Sequence, residues 1–325
     1  MDFDLSQVRA FVAAAEELHF GRAAARLFIS QQGLSKRIQR LEHMVGDRLF
    51  QRRNNVVDLT AAGRRFLPHA RRLLVTADET AADLWPRARP LRIDVWGQVH
   101  SPLRIVSRLA AQLPQLIPEL SMRRSLSAAL DALDHDDLDV AFGRPYDLPR
   151  AVPSGLAVHP VYLDRLAVVM SARHDHADIA VLTPEDLRRT GLWWPLANGP
   201  EEVVGFLGRY AAQFAIPYTT DGLNLGVEHL LDTLRTHPTR VGLIGTEWPL
   251  SSTDGIRTVE VRPVPRFLWW VAWRNDAHHP QVARFVRLLN ETGRREGWLD
   301  YHPDRDWLPD PDRTGLLDWS TAESA

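Results

Sequence analysis

The amino-acid sequence predicts an α/β chain made of a small winged helix-turn-helix, a long helix, and a larger body of alternating strands and helices. Three observations predict it. Apolar residues recur at helical spacing through the first 45 positions, positive charge gathers at the same end, and strand-like and helix-like runs alternate from position 91 onward. The charge asymmetry is the sharpest of the three. The whole chain has a net charge of −2, yet residues 1–75 carry 13 Arg/Lys against 7 Asp/Glu, and the remaining 250 carry 26 against 34. Within 19–75 the balance is 12 against 3. A basic module on an acidic body points to a polyanion at one end of the chain. The plainer reading of the charge alone is a chance cluster on a solvated face.

The N-terminal elements follow in order. Leu5, Val8, Phe11, Val12, Ala15 and Leu18 repeat as one buried stripe of a helix. Gly21 offers a break, and the short helix RAAARL follows, with Ala24 and Leu27 turned inward and Phe28 and Ile29 in the next turn. Ser30 is suited to cap a third helix. In that helix Leu34, Ile38, Leu41 and Val45 form the buried face, and Gly46 ends it. Its other face carries Gln31, Gln32, Ser35, Lys36, Gln39 and Arg40, with Arg37 beside them. Amides read adenine edges, a hydroxyl reads several edges, and a lysine reaches guanine or phosphate. Three short helices of this kind make a helix-turn-helix, whose last helix enters the major groove of double-stranded DNA.

The stretch LFQRRNNVVDLTAAG then predicts a hairpin, with Arg52, Arg53, Asn54 and Asn55 at its tip and Val57 and Leu59 alternating as a strand. This is a wing, and its arginines suit a minor groove or a phosphate backbone. Thr60 caps a long helix in which Phe66, Leu67, Ala70, Leu73, Leu74, Ala77, Ala81 and Leu84 line one side, with Pro68 predicting a bend. So wide an apolar stripe calls for a partner. The same helix of a second copy is the simplest one, and packing on the chain's own body is the alternative.

The body begins with the strand LRIDVW and a helix opening at Ser101-Pro102. ELSMRRS predicts a strand, SAALDALDHDD a helix and LDVAFG a strand. LAVHPVYLDRLAVVMSAR predicts two strands passing into a second lobe. LWWPLA, helices over 200–215 and 225–236, and RVGLIG build that lobe; RFLWWVAWR returns to the first, and PQVARFVRLLNETG is a closing helix. Residues 298–325 hold seven acids, two arginines and three prolines, and predict an acidic, largely irregular tail whose tryptophans dock on the body.

No dinucleotide fingerprint, P-loop, nucleophile elbow or HExxH occurs, so no catalytic residue is assigned and no cofactor is expected. His174, Asp175, His176 and Asp178 lack a third well-placed ligand, and no metal is assigned. The chain has no cysteine and no run of about 20 apolar residues, and its first residues do not form a signal peptide. A cytoplasmic protein that contacts no membrane is expected. Ligand binding is the remaining chemistry. Gln98, His100 and Ser101 follow the first strand, Asn198 follows LWWPLA and Thr246 follows RVGLIG, with Trp96, Trp193 and Trp194 near them in sequence. A small molecule between two lobes would meet such strand ends. Glu201 and Glu202 follow Asn198, so an amine is as admissible as a carboxylate.

The stretch LSQVRAFVAAAEELHFGRAAARLFISQQGLSKRIQRLEHMVGDRLFQRRNNVVDLTAAGRRFL, with the order of segments after it, resembles the LysR-type transcriptional regulators. The resemblance implies a winged helix-turn-helix over 1–60, a linker and dimerisation helix over 61–87, and an effector-binding domain over 88–297. The two lobes of that domain, 91–163 with 265–297 and 164–264, are similar to periplasmic solute-binding proteins. It also implies a homodimer and a homotetramer on an inverted-repeat operator, a small-molecule effector, and DNA contacts at Gln31, Ser35, Lys36 and Arg52. Gln32 and Gly33 stand where the family has proline and its neighbour, and Lys36-Arg37 where it has arginine and glutamine; these departures bear on the operator sequence. Two other readings compete. One is a DNA-binding module fused to an enzyme or solute-binding domain, which a catalytic cluster in the cleft would favour. The other is an effector-independent DNA-binding protein, which sequence-independent binding would favour.

Overall fold

The computed structural model describes residues 4–27, 30–53, 56–84, 89–113, 116–195, 199–249, 253–277 and 279–324. They form two compact units, residues 1–89 with 275–284, and residues 90–274 with 285–325.

The first unit opens with α1 (Leu5–Glu17), α2 (Phe20–Arg26) and α3 (Gln31–Val45). Asp4 caps α1 by accepting from the Ser6 amide at 2.8 Å. The break after α1 falls at Leu18, in the left-handed region at φ 43°, and Gly21 lies inside α2. The imidazole of His19 sets that boundary: its Nδ1 accepts from the Gly21 and Arg22 amides at 3.1 and 3.2 Å. Ser30 caps α3 through the Gly33 amide at 3.1 Å, and Gly46 closes it at φ 79°, a conformation glycine adopts without a Cβ clash.

Strands β1 (Phe50–Arg53) and β2 (Val56–Leu59) pair antiparallel, with Arg52 opposite Val57 and Arg53 opposite Val56. Asn54 and Asn55 lie outside the described residues. Glu42 of α3 accepts from the Leu49 and Phe50 amides at 2.8 and 3.1 Å, tying the helix to the start of the wing. Thr60 caps α4 (Ala61–Leu84) through Gly63 N–H at 3.0 Å, and Pro68 lies within this helix. A Cβ on Gly63 would run into the Leu49 carbonyl, so glycine lets α4 lie on the wing's base. Phe11 sits between Phe50 and Phe66 at ring distances of 5.4 and 5.2 Å, amid buried Val8, Leu34, Ile38, Leu41 and Leu49. Each such side chain contributes about 1.5–3 kcal/mol of burial. The stripe on α4 is split. Phe66, Leu67 and Leu74 pack on this core, whereas Leu73 is 38% exposed.

In the second unit β3 (Leu91–Asp94), α5 (Ser101–Gln112), β4 (Pro118–Ser121), α6 (Leu126–Asp134) and β5 (Val140–Gly143) make crossovers in which β3 runs parallel to both β4 and β5. Next comes one strand of 16 residues, β6 (Leu156–Ser171), where two were expected. Pro160 and the polar pair Asp164-Arg165 read as a break, but the strand passes Pro160 by a register shift against β12 and passes Arg165 by changing partners. Residues 156–165 pair with β12, and 166–171 pair with β10 and β11. The second lobe is built from β7 (Val181–Leu182), α7 (Pro184–Thr190), β8 (Leu192–Trp193), α8 (Glu201–Phe214), β9 (Tyr218–Thr219), α9 (Val227–Thr236), β10 (Val241–Gly245) and β11 (Ile256–Val261). The return strand β12 (Val264–Arg274) pairs with β5 and β6, and α10 (Pro280–Glu296) follows.

The C-terminal segment is a correction to the expected irregular tail. It contains β13 (Asp306–Trp307), parallel to β12, and the helix α11 (Asp310–Ser324). Leu308 and Leu316 are buried with Leu163, Leu268 and Trp270. Asp312 is itself fully buried and accepts from Arg144 Nε at 2.9 Å and Nη2 at 2.6 Å. Trp307 packs on Phe206 and Tyr210 of α8 at 5.5 and 5.0 Å. The segment therefore grips both lobes, and its acid at 312 serves a buried ion pair rather than a solvated face.

Candidate functional site

Two sets of residues stand out, one in each unit. On α3 the buried positions Leu34, Ile38 and Leu41 leave a polar face. Gln31, Gln32, Lys36, Gln39 and Arg40 are exposed, and Ser35 and Arg37 are half-buried. Gln32, Ser35, Lys36 and Gln39 follow one another at short spacings, with three or four residues separating those that share a face. Lys36 and Arg40 form no ion pair with a described residue, which leaves their charge available to phosphates. The Ser30 cap satisfies one amide of the first turn, and the helix start remains a place for an anion. Arg52 and Arg53 lie in β1, but their side chains lie outside the described residues, as does Asn198.

The second set lies within the larger unit, between its lobes. Asp164 sits on β6 where that strand changes partner: Asp164 pairs with Phe267 of β12, and Leu166 with Gly245 of β10. It is 3% exposed. Its Oδ2 accepts from Ser101 Oγ at 2.9 Å and Trp269 Nε1 at 3.3 Å, while its Oδ1 has no partner among the described residues. Burial pushes the Asp164 carboxyl up to about 6, against those two hydrogen bonds and the Arg104 charge, which lower it.

Around Asp164 is a cavity of about 50 Å³, lined by Trp96, His100, Trp194, Phe206, Trp248 and Trp269 among others. It abuts an outer chamber of about 130 Å³ that shares Trp96, His100, Trp194, Val203 and Trp248 and adds Arg124 and Asn224. Trp96 is in the left-handed region at φ 66°. An aromatic residue there costs about 1–3 kcal/mol, and Asp94 holds it by accepting from its amide at 3.2 Å. Burial, then the charge of Arg124, pull His100 down to about 4, so its imidazole is neutral near pH 7. Beyond Ser101, Arg104 pairs with Glu247, and Tyr162 donates to the same carboxylate at 2.7 Å.

The cavity gathers some of the expected ligand residues and leaves others out. His100 lines it, and Ser101 is buried behind it. Ser101 does not cap α5; His100 holds the N-cap position, and the Ser101 hydroxyl turns to Asp164 instead. Gln98 and Thr246 line neither chamber. Trp194 lines both, whereas Trp193 donates to the Asp221 carbonyl at 2.9 Å beneath Arg240, a structural role. Asp164, Phe206, Trp248, Phe267 and Trp269 were not expected. A carboxylate inside an apolar strand, the D of LDRLAVVM, was the available signal.

The family model "Bacterial regulatory helix-turn-helix protein, lysR family" matches residues 5–64, and "LysR substrate binding domain" matches residues 89–229. A relative described as the uncharacterized HTH-type transcriptional regulator YnfL of Escherichia coli is 33% identical over 322 residues, covering 89% of this chain and 99% of that protein. XapR, another HTH-type transcriptional regulator of E. coli, is 33% identical over 57% of this chain and 64% of its own length. Among solved structures, full-length BenM covers 93% of this chain and all of its own at a TM-score of 0.52 and 23% identity. An H2O2-bound mutant of Corynebacterium glutamicum OxyR covers 91% of this chain and 94% of its own at a TM-score of 0.52 and 21% identity. Both structures bear on fold alone.

Proposed function

The chain belongs to the LysR family of bacterial helix-turn-helix transcriptional regulators, and from that premise we propose how it works. It is a DNA-binding regulator whose α3 reads base edges in the major groove with Gln31, Gln32, Ser35, Lys36 and Gln39. Arg37, Arg52 and Arg53 hold the flanking backbone. A second copy joins through α4, so the operator is an interrupted inverted repeat. A small-molecule effector sits between the lobes of the larger unit. The observation that carries the effector half is Asp164: a buried carboxylate with one oxygen unpartnered among the described residues, lining a cavity where β6 passes from one lobe's strands to the other's. Concave, mostly apolar sites between two packed lobes, with a few convergent polar groups, are where small ligands bind. A bound effector shifts the regulator only if it favours one lobe arrangement over another; a tenfold preference corresponds to about 1.4 kcal/mol.

Selection of bound fragments from a random DNA pool tests the DNA half. An interrupted inverted repeat is expected. Ser35→Ala and Gln32→Ala lose about 1–3 kcal/mol at the selected site and relax one position per half-site. Unchanged ratios of cognate to scrambled binding in both variants would mean that α3 is not the reader.

A further inference from the structure

The interlobe cavity has a chemical bias. Its inner chamber is lined largely by aromatic rings: Trp96 lies 4.8 Å from Trp269, Phe267 lies 4.9 Å from Trp269, and His100 lies 5.4 Å from Trp248, ring centre to ring centre. Trp194 and Phe206 also line it, with the aliphatic Leu166, Val203 and Leu207 between the rings. Among the described residues lining this chamber Asp164 is the one acid, and no arginine or lysine lines it. The cations nearby are engaged or set back. Arg104 is paired with Glu247 and donates to Ser101 Oγ at 3.4 Å, and it does not line the chamber. Arg124 lines the outer chamber only. A Cβ on Gly245 would collide with the Trp248 ring and stand 3.4 Å from Asp164 Oδ1, so that ring and the unpartnered oxygen face the same glycine.

Aromatic faces and a desolvated carboxylate attract the same partner. Ring quadrupoles favour a cation, and a buried carboxylate needs a counter-charge or donors for its free lone pairs. An anion would meet the Asp164 carboxylate, with no arginine or lysine among the described lining residues to offset it. We propose that the effector carries an organic ammonium group, primary or methylated, seated in the inner chamber against Asp164 and the faces of Trp96, Trp194, Trp248 and Trp269. The proposal rests on the interlobe effector reading, and it specifies the ligand's charge.

Four of the eleven tryptophans, Trp96, Trp194, Trp248 and Trp269, line the chamber, so a change in tryptophan emission on titration reports on it. The probes are choline and n-butylammonium, with 3,3-dimethyl-1-butanol as the neutral isostere of choline and butyrate as the anion. The expected result is a saturable change in emission with choline or n-butylammonium, at least tenfold weaker with the neutral and anionic probes. Asp164→Asn keeps an acceptor for Ser101 and Trp269 and removes the charge. Trp248→Leu keeps an apolar wall and removes one aromatic face. Both are expected to weaken the ammonium response at least tenfold while far-ultraviolet circular dichroism is unchanged. Saturation by the neutral or anionic probe at equal affinity would overturn the ammonium assignment and leave the cleft reading standing. No response to any probe would overturn both. An undiminished response in the two variants would place the cation elsewhere and overturn the proposal.

Discussion

Replacing Asp312 by alanine should uncouple the C-terminal helix from the body. Arg144 and Asp312 are both fully buried, and the guanidinium spends its Nε and Nη2 on this one carboxylate at 2.6–3.1 Å. Removing one partner of a buried ion pair typically costs about 3–5 kcal/mol, because the other charge stays in an apolar setting. Here Arg144 retains Asp147 at 2.7 Å and the Glu202 carbonyl at 3.2 Å, which sets the expected loss at the lower end, about 3 kcal/mol. With an unfolding slope of about 3 kcal/mol per molar urea for a unit of this size, the midpoint should fall by about 1 M. Tryptophan emission is the assay, because the smaller unit contains a single tryptophan, Trp85, and its unfolding barely contributes. Asp310→Ala is the control: Asp310 pairs with Arg313 in solvent, and such a pair contributes at most about 1 kcal/mol. If the two variants melt within about 0.3 M of each other, at this slope, the buried pair does not hold α11 in place.

Two further outcomes follow from the same reasoning. Leu73→Glu, rather than a change at Leu74 that would injure the unit's own core, should dissociate the dimer proposed to form through α4 while the first unit stays folded. Light scattering at an unaltered mass would refute that interface. Burial raises the Glu202 carboxyl to about 7 from an ordinary 4.5, and its Oε2 has no partner among the described residues. An acid raised in the folded state favours the protonated form, so its penalty is absent below 4.5, grows as pH rises, and is complete above about 7. Glu202→Gln should therefore stabilise the body by about 3 kcal/mol at about pH 8, since each tenfold change in proton affinity corresponds to about 1.4 kcal/mol, and by nothing at about pH 4. Equal urea midpoints of variant and parent under the alkaline condition would refute it.

The DNA-facing unit was largely legible because local rules decide it. Ser30, Gly46 and Thr60 cap or end helices where side-chain chemistry alone indicates, and of the expected stripes Leu34, Ile38 and Leu41 are buried and Val45 is half-buried, whereas Leu5 and Leu18 at the ends of the first helix are exposed. The body was legible as an alternation of elements but not as a set of contacts. Pro160 and Asp164-Arg165 interrupt a strand in sequence; a register shift against β12 carries the backbone past Pro160, and the exchange of β12 for β10 carries it past Arg165. The tail was misread by composition. Its acids look solvated, yet Asp312 finds Arg144, 168 positions away. Pro311, next to Asp310 at the start of α11, was a helix signal outweighed by net charge. The cavity's acid was hidden for a similar reason. Nothing local to LDRLAVVM says that Ser101 and Trp269 will converge on Asp164.

The carboxylate of Glu42 has a mechanical meaning. By holding the Leu49 and Phe50 amides it makes the third helix and the hairpin one solid piece. A reading head of that kind works as a caliper with a locked jaw. In the proposed docking, helix and hairpin cannot drift apart to suit a duplex, so the duplex supplies the adjustment. Base steps that narrow or bend easily between the two contact points will then bind better than stiff ones of equal hydrogen-bonding pattern, and preference arises at base pairs no side chain touches.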